Sequence, residues 1–159
     1  MEAQMEFKTP NDILDYAIGK EKEAKQFYLD ISEEESLSGN RQMFRDFAKE
    51  EDKHVVMLEN LKKGVLADGI ADYAFTWIKD IKRSNLVLDI EYKKGMHYRD
   101  ILMLAIKREE KALMLYNGLQ DRVEAPDHKK VFMILCQEEA KHKLALESMY
   151  DDYMAEMGD

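Results

Sequence analysis

The feature that most constrains this chain is a repeat. Glu51-Asp52-Lys53-His54 places a Glu and a His three positions apart, and Glu139-Ala140-Lys141-His142 does the same 88 residues later. Thirty residues before each stands another Glu: Glu21 ahead of Glu51, and Glu109 ahead of Glu139. Each of these is followed by Ala at +3 and Tyr at +7, as Glu21/Ala24/Tyr28 and Glu109/Ala112/Tyr116. The same shift lays Asp12-Ile13-Leu14 over Asp100-Ile101-Leu102, Ala17-Ile18 over Ala105-Ile106, Phe44 over Phe132 and Leu58 over Leu146. A chain built this way folds as two copies of one supersecondary unit.

The unit is a helical hairpin. Thr9-Pro10-Asn11-Asp12 is a helix-start signal, and Leu14, Ala17, Ile18, Glu21, Ala24, Tyr28 and Ile31 then recur at helical spacing. The polar run Glu33 to Asn40 is a turn, and a second helix follows from about Arg41 to Lys63, stopped by Gly64. A third helix starts near Tyr98, Glu124-Ala125-Pro126-Asp127 turns the chain with Asp127 as the cap candidate, and a fourth carries Phe132, Leu135, Glu139, His142 and Leu146. The pattern predicts an all-α chain of one domain over 1–159: hairpin 1 about 11–63, a crossover 64–97, and hairpin 2 about 98–157. Within the crossover, 71–81 reads as a short helix and 84–95 has no clear period; Tyr150 onward reads as a fraying end. Two helical hairpins joined by a long crossover form a four-helix bundle.

Charge and composition exclude several roles. A net charge of −9 and a pI near 5.0 repel phosphate backbones, so no nucleic-acid partner is expected. No apolar run is long enough to span a membrane, and the first residues lack the basic start and apolar core of a signal peptide. One cysteine, Cys136, leaves no internal disulfide and no four-cysteine metal site, and the expected location is the cytoplasm.

Two antiparallel helices bring residues level when both lie equally far from their turn. Residues 21 and 51 are centred on 36, inside the first turn, and 109 and 139 on 124, inside the second. The paired Glu residues therefore face each other roughly 22 Å below each turn, at ~1.5 Å per residue. Glu and His at i, i+3 share one helix face. The six residues Glu21, Glu51, His54, Glu109, Glu139 and His142 thus converge on the bundle axis, inside apolar stripes. Four buried carboxylates are untenable without counter-charge, and two divalent cations supply it. Carboxylates with imidazole suit iron, manganese or zinc. Of the four His, only His54 and His142 have Glu at −3. The competing account is a salt-bridged bundle in which the spacing is chance.

Other residues carry weaker signals. Glu50 and Glu138 stand at i−4 from His54 and His142 and read either as carboxylates that orient an imidazole across the site or as exposed acids. Tyr28 and Tyr116 either hydrogen-bond the ligands or pack the core, with packing favoured. Cys136 reads as a small buried filler, His97 and His128 as solvated or capping, and Trp77 as a cover for a bundle end or a dimer contact.

Glu21-x-x-Ala24 with Glu51-x-x-His54, repeated as Glu109-x-x-Ala112 with Glu139-x-x-His142, resembles the rubrerythrin-type branch of the ferritin-like superfamily. The resemblance covers both hairpins, about 10–62 and 98–150. It implies a ferritin-like four-helix bundle holding two iron ions, with manganese or zinc as alternatives. Glu21 and Glu109 would be terminal ligands, Glu51 and Glu139 bridges, and His54 and His142 one ligand to each ion. It further implies a homodimer or larger assembly that reacts with hydrogen peroxide or dioxygen. The chain departs from the family in two ways. It lacks the paired Cys-x-x-Cys motifs of a rubredoxin domain, so electrons would come from a separate donor protein. Ala112 also stands where rubrerythrins tend to carry a further carboxylate, which brings the set closer to a ferroxidase or bacterioferritin centre. The readings that follow are a di-iron peroxidase or oxidase, a ferroxidase that handles iron, and a di-manganese catalase-like enzyme.

Overall fold

Helix α1 (Pro10–Ser32) starts where its local chemistry demands. Thr9 Oγ1 accepts from the Asp12 N–H at 3.2 Å, and Asp12 Oδ2 accepts from the Thr9 N–H at 3.2 Å, a reciprocal capping box with Pro10 just inside it. A 3₁₀ turn (Glu35–Asn40) with Leu37 fully buried leads into α2 (Arg41–Lys62). At its end Val65 N–H donates to the Asn60 carbonyl at 2.9 Å and Gly64 N–H to the Leu61 carbonyl at 3.0 Å. That Schellman closure needs the left-handed φ of +77° that Gly64 adopts. Helix α3 (Tyr98–Gln120) is capped by His97, whose Nδ1 accepts from the Arg99 N–H at 3.1 Å. Helix α4 (Pro126–Met157) opens with Pro126, so Asp127 stands inside its first turn, where a negative charge suits the helix N-terminus.

The computed structural model describes residues 6–67, 69–76, 78 and 91–157. Among these there is no strand. The helices form an all-α bundle in which α1 packs on α2, α3 packs on α4, and the two hairpins meet through α1 beside α3 and α2 beside α4.

The apolar residues of the hairpins build two layers. One holds Leu14, Ala17, Leu58, Leu119, Phe132 and Leu135; the other holds Tyr28, Ile31, Phe44, Leu102, Ile106 and Leu146. The level of residues 21, 51, 109 and 139 falls between them, so the polar residues there are enclosed on both sides along the bundle axis. Each layer draws on all four helices, as the repeat requires.

Besides the place of Asp127, two expectations differ from what is observed. Residues 71–72 form a turn and 73–76 have no regular structure, so the short helix expected over 71–81 is not there across 71–76; residues 77 and 79–81 lie outside the described set, as does most of 84–95. The fraying expected from Tyr150 is replaced by helix to Met157. Tyr153 packs its ring on Tyr98 with centroids 5.0 Å apart, and that contact with the start of α3 holds the last turns of α4.

Candidate metal centre

Six residues, from four helices, meet at the middle of the bundle. Glu21 comes from α1, Glu51 and His54 from α2, Glu109 from α3, and Glu139 and His142 from α4; none is more than 3% exposed. Two sets of donor atoms lie within 4.8 Å of one another: Glu21, Glu51, His54 and Glu139, and Glu51, Glu109, Glu139 and His142. Glu51 and Glu139 belong to both. The arrangement is two four-donor groups sharing a pair of carboxylates, with the imidazole ring centres 6.4 Å apart.

Both imidazoles turn Nδ1 inward. His54 Nδ1 lies 3.3 Å from Glu21 Oε2, 3.2 Å from Glu139 Oε1 and 3.7 Å from Glu51 Oε1. His142 Nδ1 lies 3.2 Å from Glu51, 3.6 Å from Glu109 and 3.8 Å from Glu139. These approaches leave many atoms without a hydrogen bond. Both oxygens of Glu51, Oε2 of Glu109, Oε1 of Glu139 and Nδ1 of His142 are buried and unpartnered. Buried polar atoms are almost always satisfied, so a cluster of orphans converging on one spot needs a cause.

The electrostatics point the same way. Burial, then the charges of Glu139 and Glu21, push the Glu51 carboxyl far above the usual range. Burial and Glu139 push Glu109 up to about 8. Burial alone would lower His54, but Glu139 and Glu21 outweigh it and carry the imidazole up to about 10. Burial alone would raise Glu139, yet His54 holds it below the usual carboxylate range. The acids compete for too little positive charge: two imidazolium groups cannot neutralise four carboxylates, whereas two divalent cations can. The donor set fits such ions.

The surroundings are cross-wired. Tyr28 donates its hydroxyl proton to Glu109, and Tyr116 donates to Glu21, so each tyrosine serves the carboxylate of the opposite hairpin. The swapped pairs also show that α1 and α3 run antiparallel. Both rings are fully buried, so bonding and packing are one role here rather than alternatives. Burial and the adjacent Glu109 and Glu21 raise the two phenols well above their ordinary value, which keeps them as donors.

Glu50 accepts from His142 Nε2 across the α2–α4 contact. Glu138 instead accepts from Tyr73 at 2.5 Å and pairs with Lys141 at 2.9 Å. Two contributors were not singled out in the sequence. Phe47 stacks on His142 with centroids 4.1 Å apart and planes at 19°. Its place one turn before Glu51 in the apolar stripe was the available signal. Tyr73 lies in the non-periodic crossover, where no sequence signal marks it. Cys136 is half-buried and contacts Asn117 at 3.4 Å. His97 caps α3, while Trp77 lies outside the described residues.

Comparison with known proteins places the chain in a family. A model of the ferritin-like domain matches residues 10–151. The chain belongs to that ferritin-like family. A solved structure of a hypothetical protein from Pyrococcus furiosus is similar with a TM-score of 0.64 and 21% identity, over 91% of this chain and 89% of that one. At that identity the likeness speaks for the fold alone. No curated protein matches the chain.

Proposed function

We propose that the protein is a non-haem dinuclear metal oxidoreductase of rubrerythrin-like type. It reduces hydrogen peroxide or dioxygen with electrons from a separate donor protein. The observation that carries this reading is the set of buried, unpartnered acceptor atoms on Glu51, Glu109, Glu139 and His142, all facing one spot. Glu21 and His54 would hold one ion, Glu109 and His142 the other, and Glu51 and Glu139 would lie between them. Two bound iron ions would supply electrons and Lewis acidity to a small oxidant; manganese or zinc fits the same donors.

The chain's own residues do the rest. The two apolar layers keep bulk water from the ion positions. Tyr28 and Tyr116 steady the terminal carboxylates through their hydroxyls. Glu50, bonded to Nε2 of His142, leaves the Nδ1 lone pair of that ring directed at the ions. Among the described residues no helix is long and apolar enough to cross a membrane, and the reading takes the protein as cytoplasmic and homodimeric.

A second reading is supported by Ala112, which gives the centre a symmetric set without an added carboxylate. It is a ferroxidase that oxidises Fe(II) and passes it on. A di-manganese catalase-like enzyme remains separable by metal content and oxygen release. Stopped-flow absorbance on anaerobically Fe(II)-loaded protein, mixed with hydrogen peroxide or air-saturated buffer, decides among them. Two irons per chain with oxidation much faster by peroxide supports the first reading. Faster oxidation by dioxygen supports the second. Failure to hold two metals of any kind defeats all three.

A further inference from the structure

The two ion positions are built from equivalent residues, but their imidazoles are not held alike. His142 is fixed from outside the donor set. Phe47 stacks on one face at 4.1 Å, and Glu50 accepts a hydrogen bond from Nε2–H. Neither contact uses Nδ1. The positions related by the repeat are Leu135 and Glu138. Leu135 has no ring to stack. Glu138 is engaged by the Tyr73 hydroxyl at 2.5 Å and the Lys141 ammonium at 2.9 Å. The bond made by His54 Nδ1 is to Glu21 at 3.3 Å, with Glu139 beside it at 3.2 Å. Those two carboxylates are themselves prospective ligands. His142 Nδ1 also lies 3.2 Å from a prospective ligand, Glu51, so an ion would displace carboxylate contacts at either imidazole. The His142 ring would still be held by Phe47 and Glu50, whereas the His54 contacts with Glu21 and Glu139 are both to prospective ligands.

We propose that Phe47 and Glu50 are positioning residues for His142, so that the ion position of Glu109 and His142 is filled before that of Glu21 and His54. The inference rests on the two-ion reading above. Partners of metal-binding imidazoles change affinity by about 10–100-fold when removed. The Glu50 side chain is 45% exposed, so the lower end of that range applies.

The test is an anaerobic Co(II) titration of the full chain, followed by calorimetry and by visible absorption, with melting of each metal-free variant recorded beside it. Because Glu51 and Glu139 are shared, the order of filling is read from variants. His54→Ala is expected to keep one tightly bound ion, and His142→Ala only a weaker one, by about tenfold. Glu50→Ala should weaken the tight step about tenfold, while Glu50→Gln, which still offers an acceptor to Nε2–H, should recover part of that loss. Phe47→Leu, which installs the residue of the other half, should act in the same direction. Glu138→Ala should leave the tight step unchanged. Equal residual affinities in the two His variants, or equal effects of Glu50→Ala and Glu138→Ala, would overturn the inference while leaving the two-ion reading standing. No Co(II) bound by the wild-type chain would overturn that reading itself. Glu50 is half-exposed, so its variants are expected to fold even if Phe47→Leu is destabilised.

Discussion

The two hairpins are alike where they face the bundle axis and unlike almost everywhere else. Glu21, Tyr28, Phe44, Glu51, His54 and Leu58 of the first recur as Glu109, Tyr116, Phe132, Glu139, His142 and Leu146 of the second, and all twelve are buried. Outside that inner face, equivalent positions make different contacts. Glu50 reaches across to an imidazole, while Glu138 turns to the crossover. Helix α4 runs to Met157, whereas α2, its equivalent, stops at a glycine cap after Lys62. The difference teaches that the demand for symmetry comes from the centre. On the two-ion reading proposed above, two ions would need two equivalent sets of donors, and nothing would require the outer faces to match.

The largest expected effect tests that central symmetry. Glu51 and Glu139 come from different hairpins but belong to both donor groups. Glu51→Gln and Glu139→Gln should each remove both ions, and to the same extent. Glu21→Gln and Glu109→Gln should each remove about one. Metal content after anaerobic loading and desalting reads this directly. If a shared-position variant kept one tight ion while Glu21→Gln kept none, the division into shared and terminal carboxylates would be wrong. Glu51→Gln should also raise the melting temperature of the metal-free protein, because burial and the neighbouring Glu139 and Glu21 push the Glu51 carboxyl toward its neutral form.

Next in size is the core. Phe44 and Phe132 are repeat-related and both fully buried, one in each apolar layer. Phe→Ala in a packed core costs about 3–5 kcal/mol. The two variants should lose similar stability in chemical denaturation. A difference of more than about 2 kcal/mol would mean that one layer relaxes around the cavity and the other cannot, since the spread in such costs reflects how well a site collapses.

These two tests rest on residues legible in the sequence, and the reason is physical. Hydrophobic period, caps and the level of a residue below its turn are properties of a helix and its hairpin partner. The shared buried level of Glu21, Glu51, His54, Glu109, Glu139 and His142, the helix bounds other than the end of α4, and the stop at Gly64 followed from them. Contacts between hairpins did not follow. Tyr28 was favoured as core packing, and its bond to Glu109 depends on how α1 meets α3, which no local pattern encodes. Glu50 and Glu138 have the same surroundings in sequence, each followed by Lys at +3 and His at +4. Glu138 instead meets Tyr73, delivered by a segment without periodicity, and pairs with Lys141.

The hairpins differ again where each turn meets the segment leading into the other hairpin. In the first turn, Glu34 accepts from the Tyr92 hydroxyl and from the Gly95 N–H at 3.0 Å. Positions 34 and 95 shifted by the repeat are Arg122 and Phe7, where the guanidinium sits 4.7 Å from the ring centre. Glu34→Ala removes two hydrogen bonds to a carboxylate and should cost about 1–2 kcal/mol. The loss should depend on pH. The Tyr92 hydroxyl and then the Gly95 N–H hold the Glu34 carboxyl below its ordinary value of 4.5, so the unfolded chain binds the proton more readily. The stabilisation is therefore complete above that ordinary value and is lost as the pH falls through the lower folded-state value. Wild type and Glu34→Ala should converge in stability as the solution is acidified; a gap that stays constant would mean that packing, not the charged hydrogen bonds, carries the contact.

Arg122→Ala should have the smallest effect. A cation over an aromatic face at an exposed site contributes about 0.5–1 kcal/mol. A guanidinium keeps its charge at every accessible pH, so this gap should not close on acidification, in contrast to that of Glu34. Arg122→Lys keeps the charge but loses the flat stacking surface and should fall between wild type and Arg122→Ala. Denaturation at neutral and acidic pH therefore separates the two turn contacts by shape rather than by size. The carboxylate latch fades as protons are added, and the guanidinium latch does not. If both gaps closed together, the acid effect would belong to the bundle as a whole, and the hairpins would be equivalent at their turns as well as at their centre.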